Sequence, residues 1–507
     1  MSNDTGSKLI SADSDWSFEI VERFEQELGR LADEYRLDTY PNQLEIISSE
    51  QMMDAYAFTG LPANYTHWSF GKHFIATEQN YRHGQMGLAY EMVINSNPCI
   101  SYLMEENTLT MQALVIAHAA FGHNSFFKGN YLFRTWTNAE DIVDYMVFAR
   151  DYVAACERRH GEIAVEHVLD ACHALMNYGV DSCRRPQHRS AACERDRQQL
   201  RETEFESRFN DLWRTLPRET TRDGREPPVR FPAEPQENLL YFIEKQAPHL
   251  EPWQRELVRI VRKVAQYFYP QRQTKVMNEG WATFWHYTLL NRMFEDGLVS
   301  PGFMLEFLES HTGVTFQPGF EDRRYRGINP YALGFAMMRD IQRICMHPDA
   351  EDQAWFPDIA GSDWMSTLDF AMRNFKDESF IAQYLSPKLI RHFRLFSVLD
   401  DDARDTLAVT AIHDESGYAA VRRHLAQQYA ASSYTPDIQV HRADLRGDRS
   451  LTLRHTRHQR RPLASGADEV LRHAALLWGR EVKLEEVDVE GTVLNTRAVK
   501  ATVEDTA

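Results

Sequence analysis

The segment Val276–Gly297, VMNEGWATFWHYTLLNRMFEDG, is apolar around almost its whole circumference when it is drawn as a helix. A helix without a polar face is buried inside a protein. Glu279, Thr283 and His286 interrupt this pattern and, at about 100° per residue, lie within about 60° of one another. Buried carboxylates and imidazoles are costly unless they are paired, hydrogen-bonded or bound to a metal. The pattern therefore predicts a buried helix whose polar stripe is satisfied by another part of the fold.

A second segment, Thr108–Gly129, has the same character and carries His118 and His123 among hydrophobic residues. Their spacing of five places them about 140° apart on a regular α-helix. A helix end or a π-bulge at Gly122 would bring His123 round towards His118. The two segments together predict a pair of buried helices that carry metal-capable side chains.

Amphipathic spacing predicts further helices through the first three quarters of the chain, including one over residues 257–268 that Pro270 is expected to end. Asn329 and Pro330 form a favourable helix start, with Asn as N-cap and Pro at the first position. The stretch Tyr90–Asn97 fits a strand or a helix equally well. It contains Glu91 in an apolar context.

From about residue 386 the chain changes to short alternating runs typical of strands, in residues 388–403, 438–445, 450–456 and 482–491. Helices are expected at 417–429 and 467–478. The predicted fold is mainly α, with a large helical domain followed by a smaller C-terminal α+β domain. The expected boundaries are a disordered N-terminus at 1–15, a helical core at 16–385 with a charged linker at about 215–235, and the α+β domain at 386–507.

Composition narrows the functional classes. The chain has 507 residues and a net charge of −18, which argues against general nucleic-acid binding. Its six cysteines form no C-x-x-C pair, so neither a disulfide framework nor a zinc ribbon is indicated. The polar N-terminus lacks the apolar core of a signal peptide, and no run of eighteen apolar residues suggests a membrane span. A cytoplasmic location is the expectation.

Common nucleotide and hydrolase motifs are absent: there is no phosphate-binding G-x-x-x-x-G-K-[ST] sequence and no G-x-S-x-G nucleophile elbow. The remaining chemistry lies on the two buried helices. We expect His118, His123 and His286 to hold one divalent metal, zinc or else iron or manganese. Glu279 is expected to be the fourth ligand or the catalytic base. The spacing is not the H-E-x-x-H of zincins. Four further residues are candidates for contacts with substrate or ligands: Glu91, Asn124, Asn278 and Thr283.

A basic run, HTRHQRR, lies at residues 455–461 of this acidic chain. It is either a candidate for contact with phosphates or an acidic partner, or the solvated end of a hairpin. The candidate partner-binding residues in this run are Arg457, Arg460 and Arg461.

Several long segments carry a resemblance to a known family. MGLAYEMVINSNPCISYLMEEN, TLTMQALVIAHAAFGHNSFFKG, TKVMNEGWATFWHY, NPYALGF and GDRSLTLRH resemble the SpoVR (stage V sporulation protein R-like) family. The last segment resembles the branch found in non-sporulating Gram-negative bacteria. The shared motifs fall on His118, Gly122, His123, Asn278–Trp281 and His286.

The resemblance implies a cytoplasmic bacterial protein of a stress or developmental module, associated in spore formers with the spore cortex. It also implies a PrkA-like serine kinase and a von Willebrand A-like protein as partners. It supplies no reaction. Two interpretations therefore stay open. One is a metal-dependent hydrolase acting on a peptide or cell-wall precursor. The other is a non-enzymatic regulatory or scaffold partner of the kinase, in which the buried His and Glu residues are structural.

Overall fold

The computed structural model describes residues 9–11, 15–57, 65, 67, 91–178, 238–319, 321–325, 327–395, 397–399, 408–410, 415–430, 435–445, 447–457, 463–464 and 466–500. Most of the predicted N-terminal tail and all of the predicted linker at 215–235 lie outside these residues.

Helices make up most of the described chain. In chain order they are α1 Phe18–Glu34, α2 Ser49–Ala57, α3 Leu109–Val115, a π-helix Ile116–His123, α4 Asn124–Gly129, α5 Tyr131–Trp136, α6 Ile142–His160, α7 Glu162–Ala174, a 3₁₀ turn Met176–Tyr178, α8 Leu239–Gln246, α9 Pro252–Gln273, α10 Lys275–Glu295, α11 Pro301–Val314, α12 Pro330–Met346, α13 Ala350–Trp355, α14 Trp364–Asn374, α15 Asp377–Tyr384, α16 Pro387–His392, α17 Glu415–Gln428 and α18 Ala467–Trp478.

Three small sheets accompany them. The strands are β1 Asn42–Ile47, β2 Glu91–Ile94, β3 Cys99–Met104, β4 Ser397–Leu399, β5 Ala408–Thr410, β6 Asp437–Ala443, β7 Leu451–Thr456, β8 Val482–Val487 and β9 Val493–Val499. In the first sheet, of order β1-β3-β2, β3 is parallel to β1 and antiparallel to β2. In the last, of order β6-β7-β8-β9, the central pair is parallel and α18 connects its two strands.

Helix α10 lies at the centre of the larger hydrophobic core, as its all-round apolar pattern predicts. Its first turn is capped from a distance, because buried Asp377 accepts hydrogen bonds from the backbone N–H groups of Val276 and Met277, both at 2.8 Å. Burial raises the pKa of Asp377 to about 7, although these two hydrogen bonds oppose the shift.

Two glycine contacts let other helices approach α10 closely. A Cβ on Gly280 would lie 2.4 Å from the backbone of Gly334 on α12, and one on Gly122 of the π-helix would lie 2.6 Å from Ala282 Cα. No side chain fits at such a distance, so both contacts depend on glycine. They bring the π-helix and α12 against α10.

A second hydrophobic core joins helices α6–α9 to the C-terminal sheet and α18. The inward side chains of β7 alternate with outward ones, as the sequence predicts for a strand with one buried face. Among the described residues, no helix is both long and apolar enough to cross a membrane.

The predicted fold class, mainly α with a C-terminal α+β part, is confirmed. Helices α16 and α17 follow residue 385 in the chain and pack in the larger core. The predicted domain boundary at residue 385 stays a prediction. The start of the 388–403 stretch forms helix α16, not a strand. The expected end at Pro270 is wrong, since α9 continues to Gln273. Pro270 lacks only its own backbone N–H donor. The last turn of α9 stays in place because Pro270 and Gln273 are both buried.

Candidate metal centre

The two histidines of the π-helix face the same way because of its geometry. The segment Ile116–His123 is a π-helix of eight residues, in which residues five apart are hydrogen-bonded and lie one above the other. His118 and His123 are five apart, and their ring centroids are 4.6 Å from each other with perpendicular planes. The local winding thus produces the shared face that a regular α-helix would deny them.

Two carboxylates from different elements converge on these histidines. Glu91 Oε1, from strand β2, lies 3.2 Å from His118 Nε2 and 3.8 Å from His123 Nε2. Glu279 Oε2, from α10, lies 3.9 Å and 3.6 Å from the same two nitrogens. Ligand atoms of Glu91, His118 and His123 all lie within 4.8 Å of one another.

These separations match the spacing of donors around one ion. Nitrogen and oxygen ligands bind zinc at about 2.0–2.2 Å, so two of them at a tetrahedral angle are about 3.4 Å apart. The four nitrogen-to-oxygen distances, 3.2–3.9 Å, lie around this value. The donor types, two imidazoles and two carboxylates, suit zinc, iron or manganese.

Glu279 carries an unsatisfied atom. Its Oε2 is buried and accepts no hydrogen bond from the described residues, and the 3.9 Å to His118 Nε2 is too long for one. A buried carboxylate oxygen without a partner is costly. Burial alone would raise the pKa of Glu279, but His118, His123 and a hydrogen bond from Tyr331 lower it. The site thus holds a carboxylate whose pKa is lowered by its neighbours and whose Oε2 accepts no hydrogen bond from the described residues.

The pKa of the other carboxylate, Glu91, is shifted in the opposite direction. Burial, reinforced by Glu279, raises the pKa of Glu91 to about 7, while His118 opposes the shift. Burial lowers the pKa of His118, but Glu91, Glu279 and the Ala282 carbonyl outweigh it and leave the pKa raised. Two carboxylates that both destabilise each other's charged form favour a positive charge between them.

The far nitrogens of the two histidines are each held by α10. His123 Nδ1 lies 3.0 Å from Asn278 Oδ1, and His118 Nδ1 lies 2.9 Å from His286 Nδ1. His286 Nε2 in turn lies 2.9 Å from Nδ1 of His311 on α11. Burial lowers the pKa of His123 and of His311 to about 4 and that of His286 well below its usual range. These three imidazoles are therefore neutral at pH 7.

The structure brings most of the predicted site residues together, but in two layers. Both nitrogens of His286 contact other histidines, so it lies behind His118 and not beside the carboxylates. Asn278 occupies the equivalent place behind His123. Thr283 is fully buried, and its hydroxyl has no hydrogen-bond partner among the described residues. Asn124 is turned away and bonds Tyr40 and Asn42 instead.

Of the predicted partner-binding arginines, the structure describes Arg457, which follows strand β7. Arg457 donates two hydrogen bonds, at 2.9 and 2.6 Å, to the buried carboxylate of Glu486. Arg460 and Arg461 lie outside the described residues.

Two residues at the site were not expected from the sequence. His311 is an isolated histidine in α11, and nothing in its local pattern distinguishes it. Tyr331 follows Asn329 and Pro330 at the predicted start of α12, where Asn329 caps the helix by accepting a hydrogen bond from Tyr331 N–H. The tyrosine ring stacks near His118 at 6.3 Å. The predicted helix start indicated where Tyr331 lies in the chain but not which residue it contacts.

Comparison with known proteins assigns the family. The model described as "SpoVR like protein" matches residues 15–434, and the one described as "SpoVR-like C-terminal domain" matches residues 436–489. A relative from Escherichia coli (strain K12), "Uncharacterized protein YcgB", is 61% identical over 484 residues, covering 96% of this chain and 95% of its own length. No solved structure matches. The chain belongs to the SpoVR family.

Proposed function

We propose that the protein is a metal-dependent enzyme, a hydrolase, with one divalent ion held by Glu91, His118 and His123. The observation that carries the proposal is the convergence of both Nε2 atoms on Glu91 Oε1 and Glu279 Oε2 at 3.2–3.9 Å. Three protein ligands and an open position are the usual arrangement of a catalytic zinc site.

Glu279 is the proposed base. Its Oε2 is farther from His118 than Glu91 Oε1 is, at 3.9 against 3.2 Å, and slightly nearer to His123, at 3.6 against 3.8 Å. This oxygen accepts no hydrogen bond from the described residues. An oxygen in that state is suited to accept the proton of an attacking water. A bound divalent ion supplies Lewis acidity and lowers the pKa of its water to about 7. Tyr331 holds the Glu279 carboxyl in place.

The exposure of the two carboxylates supports a catalytic site over a closed structural one. Glu91 and Glu279 each keep 18% of their side chain exposed, whereas His118 keeps 4%. The carboxylate side chains are therefore the more open part of the site, although Glu91 Oε2 and Glu279 Oε2 themselves are buried. A structural metal site has all positions filled by protein and needs no such opening.

The test is the metal content of the full chain purified without a histidine tag. We expect about one zinc, iron or manganese ion per chain by elemental analysis, and near-complete loss in His118→Ala and Glu91→Gln. Glu279→Gln should retain metal yet abolish hydrolysis in a screen of peptide and cell-wall precursor substrates. Two controls, Glu309→Gln on the exposed face of α11 and His173→Gln in the second core, should leave the metal content unchanged.

Metal far below one per chain, equally low in the site variants and the controls and not restored by added zinc, iron or manganese, would refute the metal site. Full metal occupancy in His118→Ala, with the fold retained by circular dichroism, would place the ion elsewhere. Loss of metal in Glu279→Gln would make Glu279 a ligand and not the base.

A scaffold role in a kinase-containing module is the second candidate. The observation that favours it is the outer strand β9, where Val493 and Leu494 are 49% and 50% exposed. Exposed apolar side chains on an edge strand are a common site of protein contact. In that case Leu494→Lys would weaken binding to a PrkA-like kinase in a titration with purified proteins, and His118→Ala would not.

A further inference from the structure

A cavity of about 170 Å³ lies on the far side of α10 from the candidate metal centre. The buried side chains of Trp281 and Trp285 line it. At about 100° per residue they project about 200° and 240° round the helix from Glu279. An apolar cavity of about 150 Å³ is large enough to take up benzene. The cavity can therefore hold a six-membered ring, and α10 separates it from the metal centre.

Four charged side chains line the same cavity: Arg36, Asp38, Asp369 and Arg373. Asp38 pairs with Lys128 at 2.6 Å, and Asp369 pairs with Arg373 at 2.8 Å. Among these four charged residues, Arg36 alone forms no ion pair with the described part of the chain. The lining therefore presents one positive charge that the protein does not match.

The nearest carboxylate to influence Arg36 has another task. Hydrogen bonds from Ser366 and the charge of Arg36 lower the pKa of Asp363. The Asp363 carboxylate accepts hydrogen bonds from Ser366 N and Oγ, at 3.0 and 2.6 Å, and so caps α14. It is therefore not the partner of the Arg36 guanidinium.

Arg36 is also held in an unusual backbone conformation. It follows Tyr35, the C-cap of α1, and has a φ of 60°. This is the left-handed region, which glycine normally occupies directly after a helix. Residues other than glycine that are kept in this region cluster at active sites and ligand contacts. An arginine at this place is therefore a candidate for binding something in the cavity.

The indole N–H groups of the two tryptophans differ in their partners. Trp281 Nε1 donates to Ser125 Oγ at 2.9 Å. Trp285 Nε1 is buried and has no acceptor among the described residues. An indole N–H can only donate, so a ligand would complete it with an oxygen atom, after a small rotation of the ring because the nitrogen is covered. The unmatched groups of the cavity are thus a cation and a donor.

We propose that this cavity binds a small organic carboxylate, with the apolar body of the ligand on Trp281 and Trp285 and its carboxylate paired with Arg36. A guanidinium binds a carboxylate through two parallel hydrogen bonds, which gives both strength and orientation. The inference is independent of the proposed function, because no residue that lines the cavity is a proposed metal ligand or the proposed base.

The test uses the full chain and three probes of similar size, which are benzoate, benzyl alcohol and benzylamine. Isothermal titration calorimetry measures the Kd of each. We expect benzoate to bind with a Kd of about 1 mM or tighter. It should bind at least about tenfold tighter than the neutral alcohol, and benzylamine, which carries the opposite charge, should bind more weakly than both.

Two arginine-to-glycine variants separate the charge from the backbone. Arg36→Gly suits the left-handed conformation, so the protein should fold at least as well as the wild type. Its affinity for benzoate should nevertheless fall about tenfold or more. Arg449→Gly is the matched control, because Arg449 also has a positive φ, of 59°, and does not line the cavity. It should bind benzoate as the wild type does.

Two further measurements locate the bound probe. Met372 is a buried residue of α14 that lines the cavity. In protein labelled with ¹³C-methyl methionine, its methyl resonance, assigned with Met372→Leu, should shift when benzoate is added. His118→Ala, which removes a proposed metal ligand, should leave benzoate affinity unchanged.

The proposal is wrong if benzoate does not bind at about 10 mM or binds no tighter than benzyl alcohol. Unchanged benzoate affinity in Arg36→Gly would also overturn it. Loss of binding in His118→Ala but not in Arg36→Gly would place the carboxylate on the proposed metal. A Met372 methyl resonance that does not move on saturation with benzoate would place the probe outside the cavity.

Discussion

A buried polar cluster lies in each of the two larger hydrophobic cores formed by the described residues, and the two differ in the groups that surround their carboxylates. In the second core, Glu244 is fully buried, and its Oε1 and Oε2 contact Arg259 Nε at 3.1 Å and Arg262 Nε at 3.0 Å. Burial would raise the pKa of Glu244, but Arg262, Lys245 and Arg259 lower it. Every charge in that cluster has an opposite charge beside it.

In the cluster around Glu91 and Glu279, histidines take the place of the arginines. Its two carboxylates face His118 and His123, whose far nitrogens contact another histidine and an amide oxygen. A self-neutralising cluster holds helices in place, as Glu244 does between α8 and α9. In the other cluster the buried Glu279 Oε2 accepts no hydrogen bond from the described residues, as expected at the metal site that we propose.

Substituting one residue in each cluster should give the largest difference in the free energy of unfolding. Arg262→Met leaves a buried Glu244 short of one cation, and the free energy of unfolding should fall by about 3–5 kcal/mol. Glu279→Gln removes a charge whose pKa is held below its ordinary value by His118, His123 and Tyr331, so the metal-free protein should lose some stability, but clearly less than Arg262→Met does. Urea denaturation in the presence of a chelator measures both. An equal loss in the two variants would make both clusters structural.

The pH dependence of Glu91 gives the next largest effect. Its folded pKa of about 7 exceeds the ordinary value of 4.5, so its contribution to stability is complete below about pH 4.5 and disappears as the pH rises through 7. Between pH 5 and 8 the metal-free wild type should lose about 2–3 kcal/mol relative to Glu91→Gln. Because the comparison is with the variant, titration of the neighbouring histidines largely cancels. If the difference in unfolding free energy between the wild type and Glu91→Gln stayed constant across this range, the raised pKa of Glu91 would be wrong.

The close helix contact beside the site gives the smallest expected change. A Cβ on Gly334 would lie 2.1 Å from the Val276 carbonyl oxygen, which is backbone and cannot move alone. Gly334→Ala should therefore destabilise the protein by about 1–3 kcal/mol and weaken metal binding, because α12 carries Tyr331. Gly313→Ala meets nothing within 4 Å and should leave thermal unfolding unchanged or slightly raise its midpoint. Similar midpoints for the two variants would show that the contact is loose.

Much of the site could be found along the chain. The all-round apolar pattern located α10 and the segment with His118 and His123, because a helix that is apolar on all sides is buried. The membership of His311 and Tyr331 could not be found in this way. Each is an ordinary residue of its own helix, and its partner is distant in sequence: 25 positions separate His286 from His311.

The sequence by itself determined the two buried helices, the polar stripe on α10 and the strand alternation of the C-terminal part, because each follows from local periodicity. Only the tertiary structure decided that the stripe divides into two roles, with Glu279 facing His118 and His123 and with His286 behind them. The π-helical winding put His118 and His123 on one face, and Gly122 let that face meet α10. Such a contact is set by the fit of two backbones, which no pattern within either segment records.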